Sequence, residues 1–205
     1  MSGAPEVGSD AGEAAAGEDL NHVMRARRDK LAALAERGVP AFAYRFDRTH
    51  LTEEAVAAFE ALEREAVAAT DRSPGGVDAG AAPAPEVEGP VARIAGRLVS
   101  WRSQGKTAFA HLADGAGRVQ VYFRRDVVGD ESFELLKALI DVGDVVGVHG
   151  PMFRTRAGEV TLRAERVELL AKSLRPLPFG KEQVVDGRTV RYSGFRDPEQ
   201  RYRQR

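Results

Sequence analysis

KTAFAHLAD, residues 106–114, alternates with a period of two. Successive residues of a strand point to opposite faces, so Ala108, Ala110 and Leu112 share one face and Thr107, Phe109 and His111 share the other. If the Ala/Leu face is the core, a large aromatic stands on the wet face between a threonine and a histidine. The sequence around this stretch says what kind of sheet holds it.

DGAG, residues 114–117, reads as a hairpin turn. RVQVYFR, residues 118–124, is then a partner strand with Val119, Val121 and Phe123 inward and Gln120 and Tyr122 outward. Upstream, VARIAGRLVSWR is a long first strand with Gly96 placed to bend it. Downstream, ESFELLKALI reads as one short helix, with Phe133, Leu136 and Ile140 in phase. DVVGVHGPMFRTR is a fourth strand, RAGE a turn, and EVTLRAERVELLA a fifth strand with Val160, Leu162 and Ala164 inward and Glu159, Thr161 and Arg163 outward. Three strands, one helix and two strands is the order of a five-stranded OB-fold, a Greek-key barrel with one capping helix whose second and third strands bind oligonucleotides on their outer face. The chain is therefore expected to be mainly β, with this barrel over residues 91–172 preceded by an α-helical extension.

Residues 1–18 hold almost no large apolar group and are expected to be disordered. A helix is expected from Asp19, with Leu20, Met24, Leu31 and Leu34 near helical spacing and Gly38 and Pro40 stopping it. Its other face carries Arg25, Arg27, Arg28 and Lys30; such a face is usually only solvated, but it can also touch nucleic acid. A second helix starts at Thr52, a capping residue, with Glu53 and Glu54 at the positive end of the helix dipole and Val56, Phe59 and Leu62 as its apolar stripe. The helical extension spans 19–69, a Pro/Gly/Ala linker 70–90, and a connecting segment 173–205.

The net charge of −1 hides an asymmetry. Residues 1–90 hold 9 basic and 17 acidic side chains, whereas 91–205 hold 21 basic and 14 acidic ones. A basic half suits a polyanionic partner, although a solvated basic surface looks the same in composition. No apolar run is long enough to span a membrane, and the N-terminus has no secretory pattern. The absence of cysteine removes disulfides and thiolate chemistry and fits a cytoplasmic protein. The four histidines are scattered, and no metal set, phosphate loop or catalytic triad spacing occurs.

On the barrel face, Phe109 and Gln120 fall on adjacent strands. An exposed ring stacks on a single-stranded base whatever its identity, and an amide reads the Watson–Crick edge. Arg102, Lys106 and Arg118 can neutralise phosphates, and Glu159 can accept hydrogen bonds from base amino or imino groups. Each has an ordinary explanation too: a Phe half-covered by a loop, a solvated Gln, a turn-flanking Glu, an uninvolved surface His111. Strict alternation from Leu98 points Arg102 inward, so a bulge or bend after Gly96 must change the phase.

RARRDKLAALAERGVPAFAYRFDRTH, IAGRLVSWRSQGKTAFAHLADGAGRVQVYF, GDVVGVHGPMFRTRAGEVTLRAERVELLAKSLRPLP and the terminal RYRQR together closely resemble the N-terminal region of class II lysyl-tRNA synthetases. The resemblance implies that the barrel is an anticodon-binding domain. It implies that Phe109 stacks on the middle anticodon base, a uridine, that Gln120 reads that base with help from Arg102, and that Glu159 lies near the third base. It implies that RYRQR opens onto a catalytic domain lacking from this chain, to which ATP, magnesium and lysine activation belong. The family is dimeric and cytoplasmic. Trp101 stands where the family pattern has Arg, and residues 180–195 lengthen the connection and resemble a small hairpin around Asp186–Gly187. Two other readings stay open: an aspartyl- or asparaginyl-type synthetase domain, and a free-standing OB-fold module that binds single strands without sequence choice.

Overall fold

β-Branched and aromatic residues alternating with polar ones drive six strands into one sheet, ordered β1-β2-β3-β5-β4-β6. A computed structural model describes residues 10–71, 87, 89–175, 177, 181–185 and 188–192. The strands are β1 (Val91–Gln104), β2 (Thr107–Ala113), β3 (Arg118–Arg124), β4 (Val145–Arg154), β5 (Val160–Ala164) and β6 (Arg166–Ala171). β1 also pairs with β4, which closes β1-β2-β3-β5-β4 into a barrel and leaves β6 as an additional strand on β4. Closure removes the free edges that an open sheet of this size would leave.

The inward set is the one that alternation predicts. Ala108, Ala110, Leu112, Val119, Val121, Phe123, Leu162 and Ala164 are buried. The bend expected at Gly96 is instead a register shift between Leu98 and Ser100 in the β1–β2 ladder. This bulge supplies the change of phase that the sequence demanded. After it, Trp101 pairs with inward-facing Ala110 and Arg102 pairs with outward-facing Phe109. Trp101 accordingly packs on Phe123 inside the barrel, with ring centroids 5.4 Å apart.

Other expectations need correction. The fifth strand is two strands, β5 and β6. β4 pairs with β6 through Val145–His149 and with β5 through Met152–Arg154, so the returning chain must re-aim where β4 changes partner. Gly150 permits the crossing: a Cβ there would stand 1.9 Å from the Arg163 carbonyl oxygen. Thr161, expected outward and wet, is fully buried. The single helix between β3 and β4 is a one-turn α3 (Arg125–Val128) followed by α4 (Asp130–Leu139), separated by Gly129 at φ 88°. Phe133, Leu136 and Leu139 of α4 enter the core.

On the N-terminal side, α1 covers Asp10–Glu36 and so reaches into the tail expected to be disordered. Its alanine-rich start has the propensity to propagate a helix once one is nucleated. α2 (Thr52–Asp71) starts where expected. Its buried stripe is Ala55 and Phe59; Leu62 is exposed and Val56 only partly covered. The capping differs as well. Glu54 reaches back to the Leu51 backbone N–H at 2.7 Å, and Asp114, from the β2–β3 turn, accepts both the Thr52 N–H and the Thr52 hydroxyl. α2 extends to Asp71, into the expected linker; 72–86 and 88 lie outside the described residues.

The chain between α1 and α2 runs beside β6. The Ala43 N–H donates to the Leu170 carbonyl at 2.9 Å, and the Lys172 N–H donates to the Ala41 carbonyl at 3.0 Å, covering that strand's outer edge. One compact unit spans Asp29–Ser173. The other includes the start of α1 and the antiparallel pair β7 (Lys181–Val185) and β8 (Arg188–Tyr192). Val185 pairs with Arg188, as the expected hairpin at 186–187 requires. The terminal RYRQR lies outside the described residues.

Candidate nucleic-acid interface

The register aligns two rows of side chains across the outer face of the barrel. One row is Ser100, His111, Gln120 and Thr161; the next is Arg102, Phe109, Tyr122 and Arg163. Each row draws one residue from β1, β2, β3 and β5. Phe109 and Gln120 are therefore diagonal neighbours, close enough for one nucleotide to touch both.

The second row is aromatic with a cation at each end. Phe109 is 37% exposed. Its ring stacks on Tyr122, with centroids 4.7 Å apart and planes 28° apart, and Tyr122 meets Phe153 at 6.2 Å. One side of the Phe109 ring is thus backed by Tyr122, which fixes its plane. Arg102 is exposed beside it. Gly105, at φ 60°, makes the tight β1–β2 turn that leaves Lys106 exposed. Arg118 is exposed where β3 starts, while Arg124 at its other end is tied to Asp126.

The first row is a continuous hydrogen-bonded chain. Ser100 Oγ lies 2.8 Å from His111 Nδ1, and His111 Nε2 lies 3.1 Å from Glu159 Oε1. Gln120 Nε2 donates to Glu159 Oε2 at 2.5 Å, and the Thr161 hydroxyl donates to Gln120 Oε1 at 2.8 Å. A carboxylate only accepts, so in this contact His111 donates from Nε2 to Glu159.

Glu159 is delivered by the β4–β5 turn. Its N–H donates to the Thr155 hydroxyl oxygen at 3.1 Å, and its carbonyl accepts the Thr155 N–H at 3.0 Å. Gly158, at φ 88°, supplies the left-handed residue that this turn requires. Arg154 donates to the Gly158 carbonyl at 2.7 Å and pairs with Glu63 of α2, anchoring the turn.

The residues singled out in the sequence, Arg102, Phe109, Gln120, Glu159, Lys106 and Arg118, lie on this face or at its rim. Phe109, Gln120, Glu159 and Arg102 come together; Lys106 sits apart in the turn. Sequence reasoning set His111 aside and placed Thr161 in solvent. Their spacing, two residues from Phe109 and from Glu159, was a signal for His111 and Thr161 respectively, but the cross-strand register that gives it meaning was not visible. Among the described residues no cluster of His, Asp and Glu suits a metal ion, and no helix is long and apolar enough to cross a membrane.

Residues 92–170 match the family of OB-fold nucleic acid binding domains that includes tRNA anticodon-binding domains. Among curated proteins, the lysine–tRNA ligases of Pelotomaculum thermopropionicum, Bacillus subtilis and Enterococcus faecalis are 40%, 38% and 40% identical over 188 residues, 92% of this chain. The chain spans about a third of their length: 30%, 32% and 32% respectively. Barrel and similarity agree: residues 92–170 form an OB-fold nucleic acid binding domain, and the chain is similar over most of its length to part of lysine–tRNA ligases.

Proposed function

We propose that this chain binds the anticodon loop of a lysine tRNA on the outer face of its barrel, as the anticodon-binding part of a lysine–tRNA ligase. The observation that carries the reading is the diagonal pairing of an exposed, backed aromatic, Phe109, with an oriented amide, Gln120. Phe109 stacks on the middle base. Gln120 reads its edge, and Arg102 and Lys106 hold flanking phosphates. Glu159 faces the third base. The full enzyme of this reading activates lysine with ATP and magnesium, esterifies it to tRNA, and works as a cytoplasmic homodimer. Those steps belong to parts beyond the residues described; the barrel binds and positions the RNA.

The aromatic strip of Phe109, Tyr122 and Phe153 favours a second reading, a single-strand binder indifferent to base identity. Fluorescence anisotropy separates the two. The chain is titrated with a lysine anticodon stem-loop and with the same loop carrying cytidine for the middle uridine. The base change is expected to cost about 1–3 kcal/mol. Phe109→Ala is expected to weaken both loops by about 1–3 kcal/mol, because stacking ignores base identity. Gln120→Ala removes the difference between them. Lys106→Ala lowers affinity for both and reduces the salt slope by about 1. Equal, salt-sensitive binding of both loops by the wild type leaves only the second reading.

A further inference from the structure

A glutamine amide has two ends of nearly equal size, and rotating it by half a turn exchanges donor for acceptor. The exchange matters for a pyrimidine. Uracil offers an acceptor at O4 beside a donor at N3–H, whereas cytosine offers a donor at N4 beside an acceptor at N3. An amide that pairs with uracil in one orientation pairs with cytosine in the other. A base reader built on one glutamine therefore needs something to fix that glutamine.

The first row provides it. Gln120 is held at both ends, its Nε2 by the Glu159 carboxylate at 2.5 Å and its Oε1 by the Thr161 hydroxyl at 2.8 Å. We propose that Glu159 and Thr161 are positioning residues that fix the Gln120 amide in its uracil-reading orientation and so decide which pyrimidine the barrel accepts. The proposal rests on the anticodon reading above.

The two partners play different parts. The hydroxyl is ambivalent: it also lies 3.1 Å from the Glu159 carbonyl oxygen, so it can donate there and accept an N–H from a reversed amide. The carboxylate breaks the tie, because it can only accept. A reversed amide would place oxygen against oxygen at Glu159, in contact with a residue that is itself held. His111 binds the other carboxylate oxygen at 3.1 Å and is steadied by Ser100 at 2.8 Å. Thr161 is fully buried, so water cannot substitute for its hydroxyl. One N–H of Gln120 and one lone pair of its oxygen remain for a base, and the two partners fix which end donates and which accepts; in the anticodon reading that order is the one that meets uracil. This gives Glu159 a task at the middle base in addition to its place near the third.

The test uses the whole chain and the uridine and cytidine stem-loops. Glu159→Gln can accept or donate, so its preference for uridine is expected to collapse to about twofold or less, with the cytidine loop bound more tightly than by the wild type. Thr161→Val is expected to reduce the preference about fivefold, the worth of one buried hydrogen bond. Thr161→Ser keeps the hydroxyl and stays within about twofold of the wild type. A gain for cytidine is the signature that mere structural damage does not produce. Equal weakening of both loops by Glu159→Gln, or an unchanged preference in Thr161→Val, overturns the proposal. The wild type alone also decides, should Thr161→Val not fold: 15N relaxation of the Gln120 side-chain amide must report a rigid group, and a freely rotating one overturns the proposal. A wild type with no preference between the loops instead sinks the anticodon reading, and this inference with it.

Discussion

Lys172→Met is expected to destabilise the protein by about 3–5 kcal/mol, measured as a fall in the urea midpoint at neutral pH. The side chain of Lys172 is fully buried, and its ammonium uses all three of its protons. They go to the Leu139 carbonyl at 2.7 Å, Asp141 Oδ2 at 2.6 Å and Asp144 Oδ2 at 2.7 Å. Asp144 is buried too, and its carboxylate accepts the backbone N–H groups of Asp141 and Ser173. Lys30 of α1 completes the set at 2.6 Å from Asp141 Oδ1. Methionine fills the volume of lysine but leaves the Asp144 carboxylate in the interior without its cation. Uncompensated buried charge is what makes breaking such a pair costly. Asp144→Asn in the Lys172→Met background is expected to recover part of the loss, a coupling that a double-mutant cycle reads directly. A loss below about 1 kcal/mol would mean that Lys30 alone neutralises the pair.

The same cluster links stability to acidity. Burial pushes the Asp141 carboxyl up, but the ammonium groups of Lys172 and Lys30 outweigh it and hold the group below its ordinary value. A depressed carboxyl stabilises the fold above its unfolded-state pKa, about 3.9, and that contribution disappears as pH falls through the folded-state value. Lys172 begins KSLRPLP, the end of one of the stretches that carry the family resemblance. Its role there is to clasp the α4–β4 turn to the chain leaving β6.

How far the sequence could be read depended on distance along the chain. Period-two alternation put Ala108, Ala110 and Leu112 inside and Phe109 outside, and the demand for outward Arg102 implied a bulge before it was seen. These are local properties of one strand. Register is not local. Nothing in GEVTL says that Thr161 pairs with Gln120, or that Glu159 lands between His111 and the amide. The break between β5 and β6 was equally hidden, because it follows from where β4 changes partner. Charged residues were hardest. Lys30, Asp141, Asp144 and Lys172 look like ordinary surface positions until the fold joins residues 28 to 111 positions apart.

Asp114, the last residue of the stretch that decides the fold, carries the second large effect. Its Oδ1 accepts the Ala116 N–H at 2.9 Å, the Gly117 N–H at 3.0 Å and the Thr52 hydroxyl at 2.7 Å, while Oδ2 accepts the Thr52 N–H at 2.9 Å. One carboxylate thus ties the β2–β3 turn and caps the first turn of α2, where the helix dipole also favours a negative charge. Asp114→Ala is expected to cost about 2–3 kcal/mol, toward the lower end because solvent reaches part of the group. Asp114→Asn keeps an acceptor and loses the charge, so it is expected to cost about half as much. Burial raises the Asp114 carboxyl, but the hydrogen bonds from Thr52, Gly117 and Ala116 together overcome it, and its pKa is lowered. The difference in unfolding free energy between wild type and Asp114→Asn should therefore be full at neutral pH. It should shrink as pH drops below about 4, because the wild-type carboxyl then takes up its proton as the variant cannot. A difference that stays constant down to pH of about 2 would show that the charge contributes nothing and that hydrogen-bond geometry alone joins α2 to the β2–β3 turn.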